Sequence, residues 1–175
     1  MKKLTLVATS CLLLTMVLVS CTPEAPVTRP TSSGDSDVVL IRVKDGGIES
    51  HSSEVVVRNF YAGARAEMIY RIHNATARAI IPEIYINSSA NVADYSKADG
   101  AVRATPEVLS WIKLPVMEDI APGETKDFVV AIAMPKGVKK PAEKIGFQIG
   151  VAGGTNTLPA TVGVAVGTWW LISMR

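Results

Sequence analysis

Ile120-Ala121-Pro122-Gly123-Glu124-Thr125-Lys126-Asp127-Phe128-Val129-Val130-Ala131-Ile132-Ala133-Met134-Pro135-Lys136-Gly137 contains both parts of a β-fold signature, a tight turn and an alternating strand. Proline pre-sets φ at the first turn position and glycine accepts the positive φ that other residues avoid, so Pro122-Gly123 specifies the turn. In the run that follows, side chains two apart share a face, which puts Phe128, Val130 and Ile132 together; Pro135 lacks a ladder donor and ends the strand.

Moving outward, the same period recurs upstream. Arg65 to His73 places Ala66, Met68, Tyr70 and Ile72 on one face and Arg65, Glu67, Arg71 and His73 on the other, with Ile69 the exception. Charges at alternate positions mean one wet face and one buried face. Val38 to Lys44, ending at Asp45-Gly46-Gly47, and Ser53 to Tyr61 are β-branched runs of the same kind. Ala79 to Asn87 reads as a strand in which Pro82 removes a donor, favouring an edge or a bulge. Ser88 to Ala104 is polar and irregular, and Thr105-Pro106-Glu107 reads as a capped helical turn. Leu109 to Val116 with Trp111, Lys144 to Val151, and Thr161 to Met174 complete the strands. About eight or nine strands separated by turn signals, with no amphipathic helix and no internal repeat, predict an all-β sandwich.

The N-terminus has a different character. Lys2 and Lys3 precede an uncharged, largely apolar run from Leu4 to Val19, the layout of a secretory signal peptide. Its end, Leu18-Val19-Ser20-Cys21, resembles the lipobox of bacterial lipoproteins. That resemblance implies cleavage before Cys21, acylation of its thiol, and a lipid-anchored chain on the extracytoplasmic face of the cell membrane. An uncleaved signal anchor is the competing reading, because the run approaches the roughly 20 residues of a bilayer span. More than one acyl chain, at about 0.8 kcal/mol per buried methylene, holds a protein stably where one chain does not. Thr22 to Asp37, with Pro23, Pro26, Pro30 and Gly34 and little that is apolar, reads as an extended tether. At about 3.1 Å per residue it reaches on the order of 50 Å. The expected organisation is therefore a signal peptide over 1–20, the lipidated cysteine and tether over 21–37, and the sandwich over 38–175.

Composition narrows the function classes. Cys11 leaves with the signal peptide and Cys21 is taken by lipid, so disulfides and thiolate metal sites are excluded from the domain. The whole chain carries 18 basic and 16 acidic residues, and Lys2 and Lys3 account for the entire surplus. The part of the chain that remains after the signal peptide has zero net charge and no global attraction for nucleic acid.

Ala121-Pro122-Gly123-Glu124 through Met134-Pro135, then Ile145-Gly146-Phe147-Gln148-Ile149, resembles the immunoglobulin-like sandwiches of bacterial envelope proteins. Tyr70-Arg71-Ile72-His73-Asn74-Ala75-Thr76, a strand running into an Asn-plus-small-residue turn, belongs to the same pattern. Val162 to Ile172, containing Trp169-Trp170, is similar to the end of the peptidoglycan-binding, WxL-interacting type of domain, although the chain ends at Arg175 without that pattern's C-terminal membrane helix. The resemblance spans roughly Ser53 to Arg175 and implies an immunoglobulin-like antiparallel β-sandwich working as a non-catalytic binding module for an envelope protein or an anionic wall polymer.

Candidate contacts follow from residue type. Tyr95, Lys97 and Arg103 punctuate the long polar loop. Lys136, Lys139, Lys140 and Lys144 cluster around a strand connection, where each lysine near an anionic surface contributes about 1 kcal/mol. Trp169 and Trp170 are adjacent in a strand, so one ring is core and the other faces outward, where Trp is an effective interface anchor. No cofactor is implied. Asn91, Asp94 and Asp99 lack the spacing of a calcium loop, and no metal site is assigned. His51 and His73, the only histidines, fall on different elements without the carboxylate and nucleophile that a catalytic set needs. The alternative function is a structural subunit that lends a sheet edge to a partner strand, which requires a long unblocked edge.

Overall fold

The computed structural model describes residues 31–32, 38–44, 47–51, 54–87, 100–153 and 165–175. The expected signal peptide, Cys21, most of the tether, Tyr95 and Lys97 lie outside the described residues.

Two sheets face one another. The smaller is built from β2 (Val38–Lys44), β3 (Gly47–Ser50), β5 (Arg65–Asn74), β8 (Ile112–Lys113) and β9 (Thr125–Ala133), in the order β3-β2-β5-β9-β8. The larger contains β1 (Thr31–Ser32), β4 (Glu54–Phe60), β6 (Glu83–Asn87), β7 (Val102–Arg103), β10 (Lys144–Ala152) and β11 (Ala165–Met174). Its order is β1-β4-β11-β10-β6, with β7 also on β10. A four-residue helix, α1 (Pro106–Leu109), precedes β8; the Thr105 side chain caps it by accepting from the Val108 N–H.

The fold is the expected immunoglobulin-like sandwich, with one refinement: its sheets are mixed. β2 runs parallel to β5, β4 to β11 and β7 to β10, while the remaining pairs are antiparallel. Chain order supplies the reason. After the β2–β3 hairpin the chain crosses to the larger sheet as β4, then returns as β5 beside β2; a strand that comes back after such a crossing can lie parallel, which a tight hairpin forbids. Among the described residues, eight strands of four residues or more match the expected count, and the others are two-residue pairings. Thr31–Ser32, within the stretch read as tether, pair with Val56 and Val55. Backbone pairing of this kind needs no apolar side chain, so hydropathy gives no sign of it.

Between the sheets lies one apolar core, and period two decides which residues enter it. Val39, Ile41 and Val43 of β2, Met68, Tyr70 and Ile72 of β5, and Phe128, Val130 and Ile132 of β9 point inward from the smaller sheet. Val55, Val57, Phe147, Ile149, Trp170 and Ile172 meet them from the larger. The Trp170 indole stacks on the Phe147 ring at 5.6 Å and donates its Nε1–H to the Tyr70 hydroxyl at 2.9 Å, a buried hydrogen bond that joins the two sheets. Burial raises the Tyr70 phenol well above its ordinary pKa. Thr168, buried on the same strand as Trp170, faces the Tyr70 hydroxyl.

Asn74 fastens one end of the smaller sheet. Wholly buried, it donates through Nδ2 to the carbonyls of Arg78 (2.7 Å) and Ile120 (2.9 Å), and its Oδ1 accepts from the Thr76 N–H and hydroxyl. Its backbone bonds reach Gly123 and Glu124, so the Asn-Ala-Thr turn and the Pro-Gly-Glu turn form a single clasp. Gly123 there has φ +75, the left-handed conformation that glycine adopts without steric penalty. Asn59, at φ 55, marks the β-bulge where β4 loses register with β11.

Two strand expectations change. The run from Leu109 to Val116 is helix at its start, because the Thr105-Pro106 signal carries through Leu109; only Ile112–Lys113 pair as strand, and Pro115 lies just beyond. The strand anticipated from Ala79 begins at Glu83, directly after Pro82, and β6 is an outermost strand as that proline favours.

Candidate functional site

The outward positions of the larger sheet form a flat, half-buried surface. Register aligns Glu54, Trp169, Gln148 and Asn87 across β4, β11, β10 and β6 in one row. Gly167, Gly150 and Tyr85 form the next row. Asn87 Nδ2 donates to Gln148 Oε1 at 2.6 Å. On the other side, Val56 aligns with Leu171, and Leu171 with Gly146.

Glycine makes this surface possible. A Cβ on Gly150 would come within 2.4 Å of the Tyr85 ring, and one on Gly167 within 1.9 Å of the Gln148 amide. The tyrosine ring and the glutamine therefore lie directly on backbone, where a side chain beneath would lift them off. Trp169 thus shares a row with the Gln148–Asn87 amide pair, and Tyr85 lies in the adjacent row. Next to this row, Glu54, Val56, Arg58, Lys144, Leu171 and Ser173 line a cleft of about 380 Å³.

Several candidate contacts meet here. Trp170 is the core member of the tryptophan pair and Trp169 the outward one. Gln148 covers Gly167. Lys144 lines the cleft, and Arg103 pairs in register with Gly146 at the same sheet. The other three lysines are separate from it. Lys136, Lys139 and Lys140 are exposed on the β9–β10 connection, and Lys140 is ion-paired with Glu143. The lysine cluster of the sequence is thus divided between a sheet face and a strand connection. Tyr85, Asn87 and Gln148 were not among the candidates; their outward parity was legible, but the register that brings three strands into one row was not.

The smaller sheet's outer face is of a different kind. Arg71 donates to both carboxylate oxygens of Asp127, at 2.7 Å each, and this pairing holds the Asp127 carboxyl below the usual carboxylate range. Lys44 likewise lowers the Glu49 pKa through a side-chain hydrogen bond. His51 and His73, twenty-two positions apart, line the same shallow cleft. Among the described residues no group of three or more His, Cys, Asp or Glu side chains could hold a metal ion, and no helix is long and apolar enough to cross a membrane.

No protein-family model matches the chain, and no curated protein matches it. Solved structures do. A presumptive carbohydrate-binding protein of Bacteroides ovatus aligns with 71% of this chain at 13% identity and a TM-score of 0.51; the chain spans 36% of that protein's length. The seventh PapD-like domain of human CEP192 aligns with 70% of the chain, and the chain covers 81% of that domain, at 9% identity and a TM-score of 0.48. At these identities the likeness is one of fold.

Proposed function

We propose that the chain is a lipoprotein, anchored through acyl chains on Cys21 at the extracytoplasmic face of the membrane, whose sandwich binds a saccharide-containing envelope polymer without chemistry. The observation that carries this reading is the outer face of the larger sheet, on which Trp169 shares a row with the Gln148–Asn87 amide pair and the Tyr85 ring lies on Gly150 in the next row. Sugar rings present apolar C–H faces and a rim of hydroxyls. Aromatic rings pack against the former and amides exchange hydrogen bonds with the latter, the mix of apolar wall and few polar groups that characterises binding sites. The flatness left by Gly150 and Gly167 suits an extended polymer better than a small molecule. The Bacteroides ovatus protein of similar fold is described as carbohydrate binding, which supports the polymer as the first class to test. Edge pairing with a partner strand gains less support: among the described residues the outermost strands β1, β3, β6 and β8 span two, four, five and two residues, short for strand addition.

Two experiments test the two halves. Cys21→Ser should abolish incorporation of a fatty-acid probe; retained label on the variant, or no label on the parent chain, rejects the anchor. The full chain in neutral detergent should co-sediment with insoluble peptidoglycan sacculi. Trp169→Ala should weaken that binding by about tenfold, the equivalent of one lost anchor of 1.4 kcal/mol. Equal binding by parent and variant removes Trp169 and its row as the site.

A further inference from the structure

The smaller sheet carries a second cleft that saccharide binding does not use. β2 lies parallel to β5 with Leu40 beside Arg71 and Arg42 beside His73, and antiparallel pairing sets His73 opposite Thr125. The β2–β3 hairpin returns the chain so that the His51 N–H donates to the Leu40 carbonyl at 3.0 Å. The result is a shallow cleft of about 250 Å³ with Leu40 and Ile41 in its lining and Arg42, His51, Arg71 and His73 around them. Leu40 remains 40% exposed there, so an apolar contact is on offer beside the basic groups.

Among the described residues no carboxylate lines this cleft. Asp127 beside it is engaged by both arms of the Arg71 guanidinium, and Glu49, opposite Arg42 in the hairpin, is held by Lys44, with Arg42 and His51 adding weaker attraction. His73 Nδ1 lies 3.0 Å from Thr125 Oγ1, which fixes the ring and turns its Nε2 edge away from the threonine. Arg42, His51 and His73, which can donate hydrogen bonds to an anion, therefore surround an apolar contact beside the Arg71–Asp127 pair.

We infer that this cleft binds an organic anion, a carboxylate or a phosphate ester attached to an apolar group, with Arg42, His51 and His73 contacting the charge and Leu40 the apolar part. Charge-assisted bonds from guanidinium and imidazole are the stronger kind, and the exposed leucine selects an ester or acid with a carbon tail over a bare ion. This site is on the opposite sheet from the saccharide face and stands whether or not that face binds polymer.

The only two histidines of the chain both line this cleft, so their imidazole C–H resonances report on it directly. The experiment titrates the full chain in neutral detergent with butyrate and with butyl phosphate, using n-butanol for the apolar part alone and inorganic phosphate for the charge alone. Saturable shifts of both imidazoles with butyrate, butyl phosphate or both are expected, and which probe binds assigns the ligand to carboxylates or to phosphate esters. Arg42→Gln should weaken the binding about tenfold, a factor that corresponds to one charge-assisted bond, while Trp169→Ala leaves it unchanged. Three results overturn the inference: no saturable shift with either anion, equal shifts with n-butanol, or inorganic phosphate binding as tightly as its butyl ester.

Discussion

Removing the side chain of Asn74 tests whether the clasp at the end of β5 holds the sandwich together. Asn74→Ala deletes four hydrogen bonds, two donated to the Arg78 and Ile120 carbonyls and two accepted from Thr76. The cost is not four times that of an orphaned group, because both carbonyls keep a partner: Ile120 O still accepts from the Ile80 N–H at 3.1 Å, and Arg78 O from the Thr76 hydroxyl at 2.9 Å. Only the Thr76 N–H is left without an acceptor. Counting about 1 kcal/mol for each of the two bonds Asn74 donates and about 1 kcal/mol for the orphaned donor gives a loss near 3 kcal/mol. With a urea m-value of about 2 kcal/mol/M, the midpoint should fall by about 1.5 M with m unchanged. Asn74→Asp should cost more at neutral pH, since it sets a buried carboxylate oxygen against two carbonyls. Burial favours the protonated acid and raises its folded-state pKa above the unfolded value, so the deficit should shrink as pH falls through that raised pKa and persist above it. Urea unfolding of both variants, followed by tryptophan fluorescence at pH 7 and pH 4, measures this. An alanine cost below 1 kcal/mol, or an aspartate variant as stable as the alanine one at pH 7, would refute the assignment of the clasp.

Two further outcomes follow from the core and the sheet face. Tyr70→Phe leaves the Trp170 Nε1–H buried without its acceptor and should cost about 2 kcal/mol. Because burial raises the Tyr70 pKa in the folded state, its contribution is full below the unfolded value of about 10 and is lost above it, by about 1.4 kcal/mol per pH unit; the phenylalanine variant should lack this share of the alkaline loss in denaturation curves from pH 8 to 12. Gly150→Ala places a methyl group where the Tyr85 ring lies, and since that ring is a half-exposed, movable end, stability should change by no more than about 1 kcal/mol while co-sedimentation with sacculi drops. Unchanged binding would show that the ring's flat seat on the sheet has no part in recognition.

Most of the fold was legible because parity is local. The alternation Ala66, Met68, Tyr70, Ile72 predicted the buried face of β5 without error, and Phe128, Val130, Ile132 did the same for β9. What remained illegible depends on registers between strands far apart in the chain. Nothing near Arg71 announces that Asp127 lies opposite it, and nothing near His51 announces His73 across a shared cleft. β3 and β7 were missed for a related reason: Gly47–Ser50 and Val102–Arg103 are strands because a neighbour offers a ladder, not because their own residues favour one. The same holds for the saccharide face. Trp169 was visible as an outward aromatic, whereas its alignment with Gln148 and Asn87 needed β6, β10 and β11 in register.

The two outer faces diverge because their outward positions are filled with opposite chemistry. On β5 and β9 these positions carry Arg65, Glu67, Arg71 and Asp127, whose side chains stand up and pair with one another. On β10 and β11 they carry Gly146, Gly150 and Gly167 between Gln148 and Trp169, so the sheet is left low and its few large side chains lie across it. A charged, uneven surface can hold a small anion at one point, but a chain of sugar rings needs continuous contact over several strands. Strand order gives this face a direction as well. β1 enters at the edge beside β4, and β6, which carries Tyr85 and Asn87, forms the opposite edge. Under the anchored arrangement proposed above, Trp169 on the central strand β11 and Tyr85 on the far edge strand β6 both lie away from the edge where the tether joins, which leaves a polymer held there clear of the anchor.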